Sequence, residues 1–171
     1  MNMWPALWLR IALTAAFQTP AVAGEPAAQF IDTEIDHLVS LFSDGVAVAY
    51  PEYRHVKFAK VLEGEGQTAV ALFSVEGFGG GNLHEEYLAV FAPVESADID
   101  GHKTQPYRLL AVQKIGGRGW RTFDWDGARF APGSVHLIGK QWKAADPGCC
   151  PSAPVAVTFR IRDDAIVEAR K

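Results

Sequence analysis

The chain has 171 residues, 49% of them hydrophobic and 21% charged, with a formal net charge of −4. That length suits one compact domain, and the composition excludes a disordered, collagenous or coiled-coil chain. The mildly acidic balance gives no support for a basic face that would hold nucleic acid.

The first segment reads as an address. Residues 1–23 carry one base, Arg10, and no acid. Ile11 to Phe17 forms an apolar run, extended upstream by Leu7, Trp8 and Leu9. Pro20 breaks any helix, and Ala21-Val22-Ala23 supplies the small residues that a signal peptidase reads. Arg10 divides the stretch, which falls short of the roughly 20 apolar residues that a membrane span needs. The pattern predicts a signal peptide over 1–23, cleaved after Ala23, with an uncleaved amphipathic anchor as the alternative. No cysteine stands near the cleavage point to take a lipid, and no twin arginine is present. The expected product is a single β-rich domain over 24–171, periplasmic or secreted, with no stable membrane anchor after cleavage.

Ala27 to Phe42 predicts the one helix. Ile31, Ile35, Leu38 and Phe42 recur at helical spacing, while Asp32, Glu34 and Asp36 lie opposite. Pro26 suits the first turn and Gly45 supplies a stop. From Val46 onward the period changes to two. Strands are predicted at His55–Leu62, Gln67–Val75, Leu83–Ala92, Tyr107–Ile115, Arg121–Trp125, Ser134–Trp142, Val155–Arg162 and Ala165–Ala169. In the third, Leu83, Tyr87, Ala89 and Phe91 share one face, and His84, Glu86, Leu88 and Val90 the other. Val135 and Leu137 alternate with His136 and Ile138. The seventh is the clearest: Val155, Val157, Phe159 and Ile161 face in, while Thr158, Arg160 and Arg162 face out. Gly64-Glu65-Gly66, Phe78 to Asn82, Gly116-Gly117-Arg118-Gly119, Asp126-Gly127 and Asp163-Asp164 supply turn chemistry. The fold class is mainly β (α+β): an antiparallel sheet of about seven to nine strands, open or barrel-like, with one N-terminal helix.

The two cysteines, Cys149 and Cys150, are adjacent. Free thiols tend not to persist in an oxidising compartment, and the one bridge this chain can close joins neighbours, a vicinal disulfide. Such a ring departs from ordinary disulfide geometry and closes a minimal loop, so it is no staple between distant parts. It serves either as a rigid turn between strands or as a redox-sensitive or metal-catching dithiol. A dithiol oxidoreductase usually separates its cysteines by two residues at a helix start, and that spacing is absent here.

The stretch Asp146-Pro147-Gly148-Cys149-Cys150-Pro151-Ser152 resembles a Cys-Cys-Pro-Ser motif of uncharacterised exported bacterial proteins, including a small family of mycobacterial lipoproteins. Those too place the motif late in a β-rich domain, before a final amphipathic strand. The resemblance covers about ten residues and implies an exported β-rich domain, with no activity to carry over. This chain departs from the lipoproteins in lacking a lipid-attachment cysteine.

Other constellations have bland counterparts. Gly77-Phe78-Gly79-Gly80-Gly81-Asn82 lacks the lysine and hydroxyl residue of a phosphate loop and reads as a hairpin loop whose bare backbone offers a binding edge. His84, Glu85 and Glu86, with His102 or His136, contain donor types for a metal site, but strand alternation sends Glu85 away from the other two, so no metal is assigned. Asp98-Ile99-Asp100-Gly101 and Asp124-Trp125-Asp126-Gly127 look superficially like calcium loops, yet neither has the bidentate glutamate. Hydrolase signatures are missing. Trp120, Trp125, Trp142, Phe123 and Phe130 line either a concave apolar site or simply the core. The sequence therefore favours a non-enzymatic exported domain that binds a partner or small ligand, with no cofactor assigned and the partner unknown. The alternative is a redox-responsive or metal-scavenging envelope protein acting through Cys149 and Cys150.

Overall fold

The computed structural model of the protein describes residues 25–63, 66–94, 97–99, 102–104, 107–147 and 150–169. The predicted signal peptide and cleavage point lie outside the described residues, as do Gly64, Glu65, Asp100, Gly101, Gly148 and Cys149.

Helix α1 (Glu25–Phe42) matches the predicted helix at its C-terminal end. Ile31 and Ile35 are fully buried, with Leu38 and Val39 nearly so. The helix is thus held by its apolar stripe. Beyond it, Gly45 adopts φ +83°, and the Asp44 carboxylate accepts the Val46 and Ala47 N–H groups. Ten strands follow: β1 (Arg54–Ala59), β2 (Thr68–Phe78), β3 (Leu83–Pro93), β4 (Ala97–Ile99), β5 (His102–Thr104), β6 (Tyr107–Gly117), β7 (Arg121–Ala131), β8 (Ser134–Gln141), β9 (Ala153–Arg162) and β10 (Ala165–Glu168).

Eight of them form one antiparallel sheet in the order β1-β2-β3-β6-β7-β8-β9-β10, and β4-β5 is a separate hairpin. The sheet is not closed: β1 and β10 are its two edges. Every main-sheet neighbour is the next strand in the chain apart from the excursion through β4 and β5, so short hairpins suffice as connections.

The ladder is thinnest between β6 and β7. β6 and β7 are paired only at Gly117 and Arg121. At this seam the sheet turns over on itself, and its two halves share a core. Val70, Leu72, Leu88, Val90 and Ile115 of the first half meet Val135, Leu137, Val157, Phe159 and Ile161 of the second. A second core lies between α1 and the other face of the first half, where Ile31 and Ile35 join Phe73, Val75, Ala89 and Phe91. The layers are helix, half-sheet, half-sheet.

Two predicted turns are corrected. Asp126-Gly127 lies inside β7, where pairing with β8 skips from Asp124↔Ile138 to Arg129↔His136. The Ile138 side chain occupies the space that a Cβ at residue 127 would need, so this glycine serves close packing at an irregularity. The chain reverses instead at Pro132-Gly133, with Gly133 at φ +70°. Likewise Gly116 and Gly117 end β6, and the turn itself is Arg118–Trp120. The predicted turns at Phe78–Asn82 and Asp163-Asp164 are present. In β9 the alternation is as expected: Val157, Phe159 and Ile161 are buried, Val155 is half-buried, and Arg160 and Arg162 are exposed.

Candidate functional site

The meander sorts the connections to two ends of the molecule. One end gathers the links β1–β2, β7–β8 and β9–β10. The opposite end gathers the β2–β3, β6–β7 and β8–β9 loops.

The β8–β9 loop carries the cysteine motif. Its first and last residues are tied together by one carboxylate. Asp146 accepts the Ser152 hydroxyl at 2.6 Å and the Ser152 N–H at 2.9 Å, and also the Lys143 N–H at 2.8 Å. The Ser152 hydroxyl first, then the Lys143 N–H, hold the Asp146 carboxyl below its usual range. Inside the clamp, the Cys150 N–H donates to the Pro147 carbonyl at 3.1 Å, and Cys150 is exposed. Its thiol is not free. The Trp142 N–H donates to the Trp120 carbonyl at 2.8 Å, which joins this loop to the β6–β7 turn.

The neighbouring β2–β3 loop is built on Gly77, Gly79 and Gly80, all at positive φ. The Gly79 N–H donates to Asp44 at 2.6 Å, so the loop is pinned to the segment after α1.

The acidic pair beside it is split by strand alternation. Glu85 pairs with Lys114 and accepts the Tyr87 hydroxyl. Glu86 points the other way, is 6% exposed, and accepts the Thr122 hydroxyl and the Phe123 N–H. His136 contacts the Thr158 hydroxyl at 3.1 Å, and the His102 side chain is outside what is described. No group of three metal-ligating side chains occurs among the described residues, and Glu85 and Glu86 point to opposite faces.

Glu86 works with Arg121 at the seam. Where the β6–β7 ladder stops, Arg121 Nε donates to the Ile115 carbonyl at 2.6 Å, and Glu86 takes the Phe123 N–H at 3.0 Å. Side chains thus satisfy backbone groups left without a neighbouring strand. A Cβ at Gly116 would sit 2.7 Å from both the Glu86 carboxylate and the Arg121 carbonyl, so glycine is required there. Arg121 is 6% exposed, forks onto Glu168 at 3.1 and 2.7 Å, and lies 4.2 Å from the Trp120 ring centre. Burial pushes the Glu86 carboxyl up, and the Arg121 hydrogen bonds push Glu168 down. Sequence reading missed Arg121; its one signal was a base at an inward position of an apolar strand.

The aromatic residues do not form one concavity. Trp125 is buried against Phe130, Phe123 packs on Phe159, Trp142 is half-buried and Trp120 is 43% exposed. Of the calcium-like segments, Asp98 and Ile99 lie in β4, while Asp124 caps the Asp126 N–H within β7.

A cleft of about 710 Å³ opens between the two half-sheets at the end away from the cysteine loop. Val61, Leu110 and Ile161 supply apolar wall, and Arg108 and Arg162 stand on it exposed. The segment after β1 straps across it: the Gly133 N–H donates to the Val61 carbonyl at 2.7 Å, and the Ile161 N–H to the Gly133 carbonyl at 2.9 Å. The seam holds the half-sheets together at one end, and this strap bridges them at the other.

No family model matches the chain, and no curated protein or solved structure matches it.

Proposed function

We propose that the chain is an exported, non-enzymatic domain of the cell envelope that binds a small amphipathic ligand in the cleft between its half-sheets. The observation that carries this reading is the cleft itself: apolar wall from the shared core, a rim where Arg108 and Arg162 stand among the acids Glu63 and Asp163, and a volume suited to a small molecule. Residues 1–23 act as the signal peptide, and the domain leaves the membrane on cleavage after Ala23. Neither nucleic acid nor a cofactor enters the reading.

The test uses 8-anilinonaphthalene-1-sulfonate, whose rings suit the apolar wall and whose sulfonate pairs with Arg108 or Arg162. Its fluorescence should rise on binding, and Arg108→Glu combined with Arg162→Glu should weaken binding about tenfold by placing like charges beside the sulfonate. No fluorescence rise with the folded protein, or equal affinity in the variant, would overturn it. Mass spectrometry of envelope protein should find Gly24 first; an N-terminus at Met1 refutes export with cleavage.

A second reading rests on the clamped, exposed position of the cysteine loop. Cys149 and Cys150 there form a vicinal disulfide that responds to redox state or, when reduced, takes up a metal. Replacing both with serine separates the readings: a ligand-binding domain keeps its affinity, whereas a redox or metal-scavenging protein loses its activity.

A further inference from the structure

At the end of the molecule away from the cleft, the β2–β3 loop and the β6–β7 turn enclose a notch of about 130 Å³. A cavity of about 150 Å³ holds benzene, so this one suits a single six-membered ring. Trp120, Leu83 and Phe78 supply its apolar wall, and Gly116 and Gly117 contribute bare backbone that a ligand can approach closely. Leu83 is 50% and Trp120 43% exposed. The Arg121 guanidinium lies on one face of the Trp120 indole, so a ligand meets the other. These walls are fixed in advance. The Gly79 N–H is held by Asp44, the Arg118 N–H donates to the His84 carbonyl at 3.1 Å, and the Trp120 N–H donates to the Gly117 carbonyl at 3.1 Å.

The polar groups of the notch say what the ring carries. Arg118 donates through Nη1 alone, to the Asn82 carbonyl at 3.3 Å and to the Asn82 side-chain oxygen. Its Nε and Nη2, the edge of the guanidinium that forks onto a carboxylate, have no partner among the described residues. Lys114 pairs with Glu85, which cancels both charges and leaves the ammonium two further N–H donors. Arg118 is therefore the uncompensated charge of the notch, and His84, Glu85 and Lys114 are hydrogen-bonding groups on its wall. An aromatic ring would press carbon against those three. A sugar ring turns hydroxyl groups to them and its C–H face to the indole.

We infer that this notch binds one sugar ring bearing a carboxylate, a hexuronate. The carboxylate takes the open edge of Arg118, the ring stacks on the free face of Trp120, and its hydroxyl groups bond His84 and the Lys114–Glu85 pair. The site is separate from the cleft at the other end of the half-sheets. It accounts for an exposed indole, an arginine bonded on one side only and a floor without side chains at a single place.

The probes are galacturonate, glucuronate, methyl galactoside and benzoate, each titrated against the full chain by calorimetry. At least one uronate should bind, and the galactoside, which lacks the carboxylate, should bind at least tenfold more weakly. Arg118→Gln, a change at an exposed turn residue, should lower uronate affinity about tenfold. Trp120→Ala should weaken it by a similar factor, with circular dichroism as the check on folding. Should that variant not fold, the unaltered protein decides, because the Trp120 indole N–H resonance should shift during the uronate titration. Tetragalacturonate separates the sources of the ring: tighter binding than the monomer names an acidic polysaccharide, and equal binding names the free sugar. No uronate bound, benzoate or the galactoside bound as tightly, equal affinity in folded Arg118→Gln, or an unmoved Trp120 resonance would each overturn the proposal.

Discussion

The two half-sheets differ in how many layers cover them. In β2 and β3 both faces are buried: Ala89 and Phe91 face α1, while Leu88 and Val90 face the other half-sheet. In β8 and β9 only one face is covered, so Leu137 and Phe159 are buried while Ile138 and Arg160 are exposed. A strand's hydrophobic pattern therefore reports its cover, continuous where it lies between two layers and alternating where one side meets water.

Inserting charge tests that difference most severely. Ala89→Asp and Val90→Asp should each cost on the order of 5 kcal/mol, because each neighbouring position buries an unpaired carboxylate. In β9 the same change at adjacent positions should split: Phe159→Asp unfolds the domain and Arg160→Asp leaves it folded. Denaturant titration of the four variants checks this; a tolerated Ala89→Asp would show that α1 does not cover β3. A milder form is Phe159→Ala, expected to cost about 3 to 5 kcal/mol, against within about 0.5 kcal/mol for Arg160→Ala.

Layer count also explains what could be read from the residues. The helix stripe and the β9 alternation were legible because each is amphipathic by itself. β7 was read too short because Asp126-Gly127 has the chemistry of a turn, and only the neighbouring Ile138 reveals why a glycine stands inside a strand. The hairpin of β4 and β5 was not predicted, since strands of three residues carry too little pattern. Glu86 stands in the sequence only as one donor type beside His84 and Glu85, in a constellation to which no metal is assigned. Its partners at Thr122 and Phe123 are more than thirty residues away, and no local spacing announces them. The cysteine loop was legible as a turn, but the Asp146–Ser152 clamp that frames it depends on side-chain direction.

The seam between the half-sheets gives a smaller and pH-dependent effect. Glu86→Ala should cost about 1 to 3 kcal/mol, since it strands the Phe123 N–H and the Thr122 hydroxyl in a buried place. The two seam carboxylates should act with opposite sign. The Glu86 carboxyl is raised, mainly by burial, so the folded state holds its proton more tightly than the unfolded state. Stability then falls as pH rises from the ordinary carboxylate range through that raised value. Glu168 is lowered, mainly by its hydrogen bonds to Arg121, and its contribution is lost as pH falls through the depressed value. Measured from acid to neutral pH, the stability of the unaltered protein relative to Glu86→Gln should decline across the first window and be flat above it. A difference that rises with pH would reverse the assignment.

The smallest effect is expected farthest from either core. The bridge proposed between Cys149 and Cys150 closes no long loop, so it removes little entropy from the unfolded chain. The loop that holds it is already fixed by the three hydrogen bonds to Asp146, none of which depends on sulfur. Reduction with a mild thiol should therefore shift the unfolding midpoint only slightly, well below the roughly 2 to 5 kcal/mol that follows loss of a structural bridge. Thiol titration before and after reduction should count no free thiols and then two in freshly isolated envelope protein. Two free thiols at the outset would refute the bridge. A bridge whose reduction unfolds the domain would instead show that the cysteine loop supports the half-sheets. Asp146→Ala separates the contributions, because with the clamp removed the turn depends more on the bridge, and reduction should then move the midpoint further than it does in the unaltered chain.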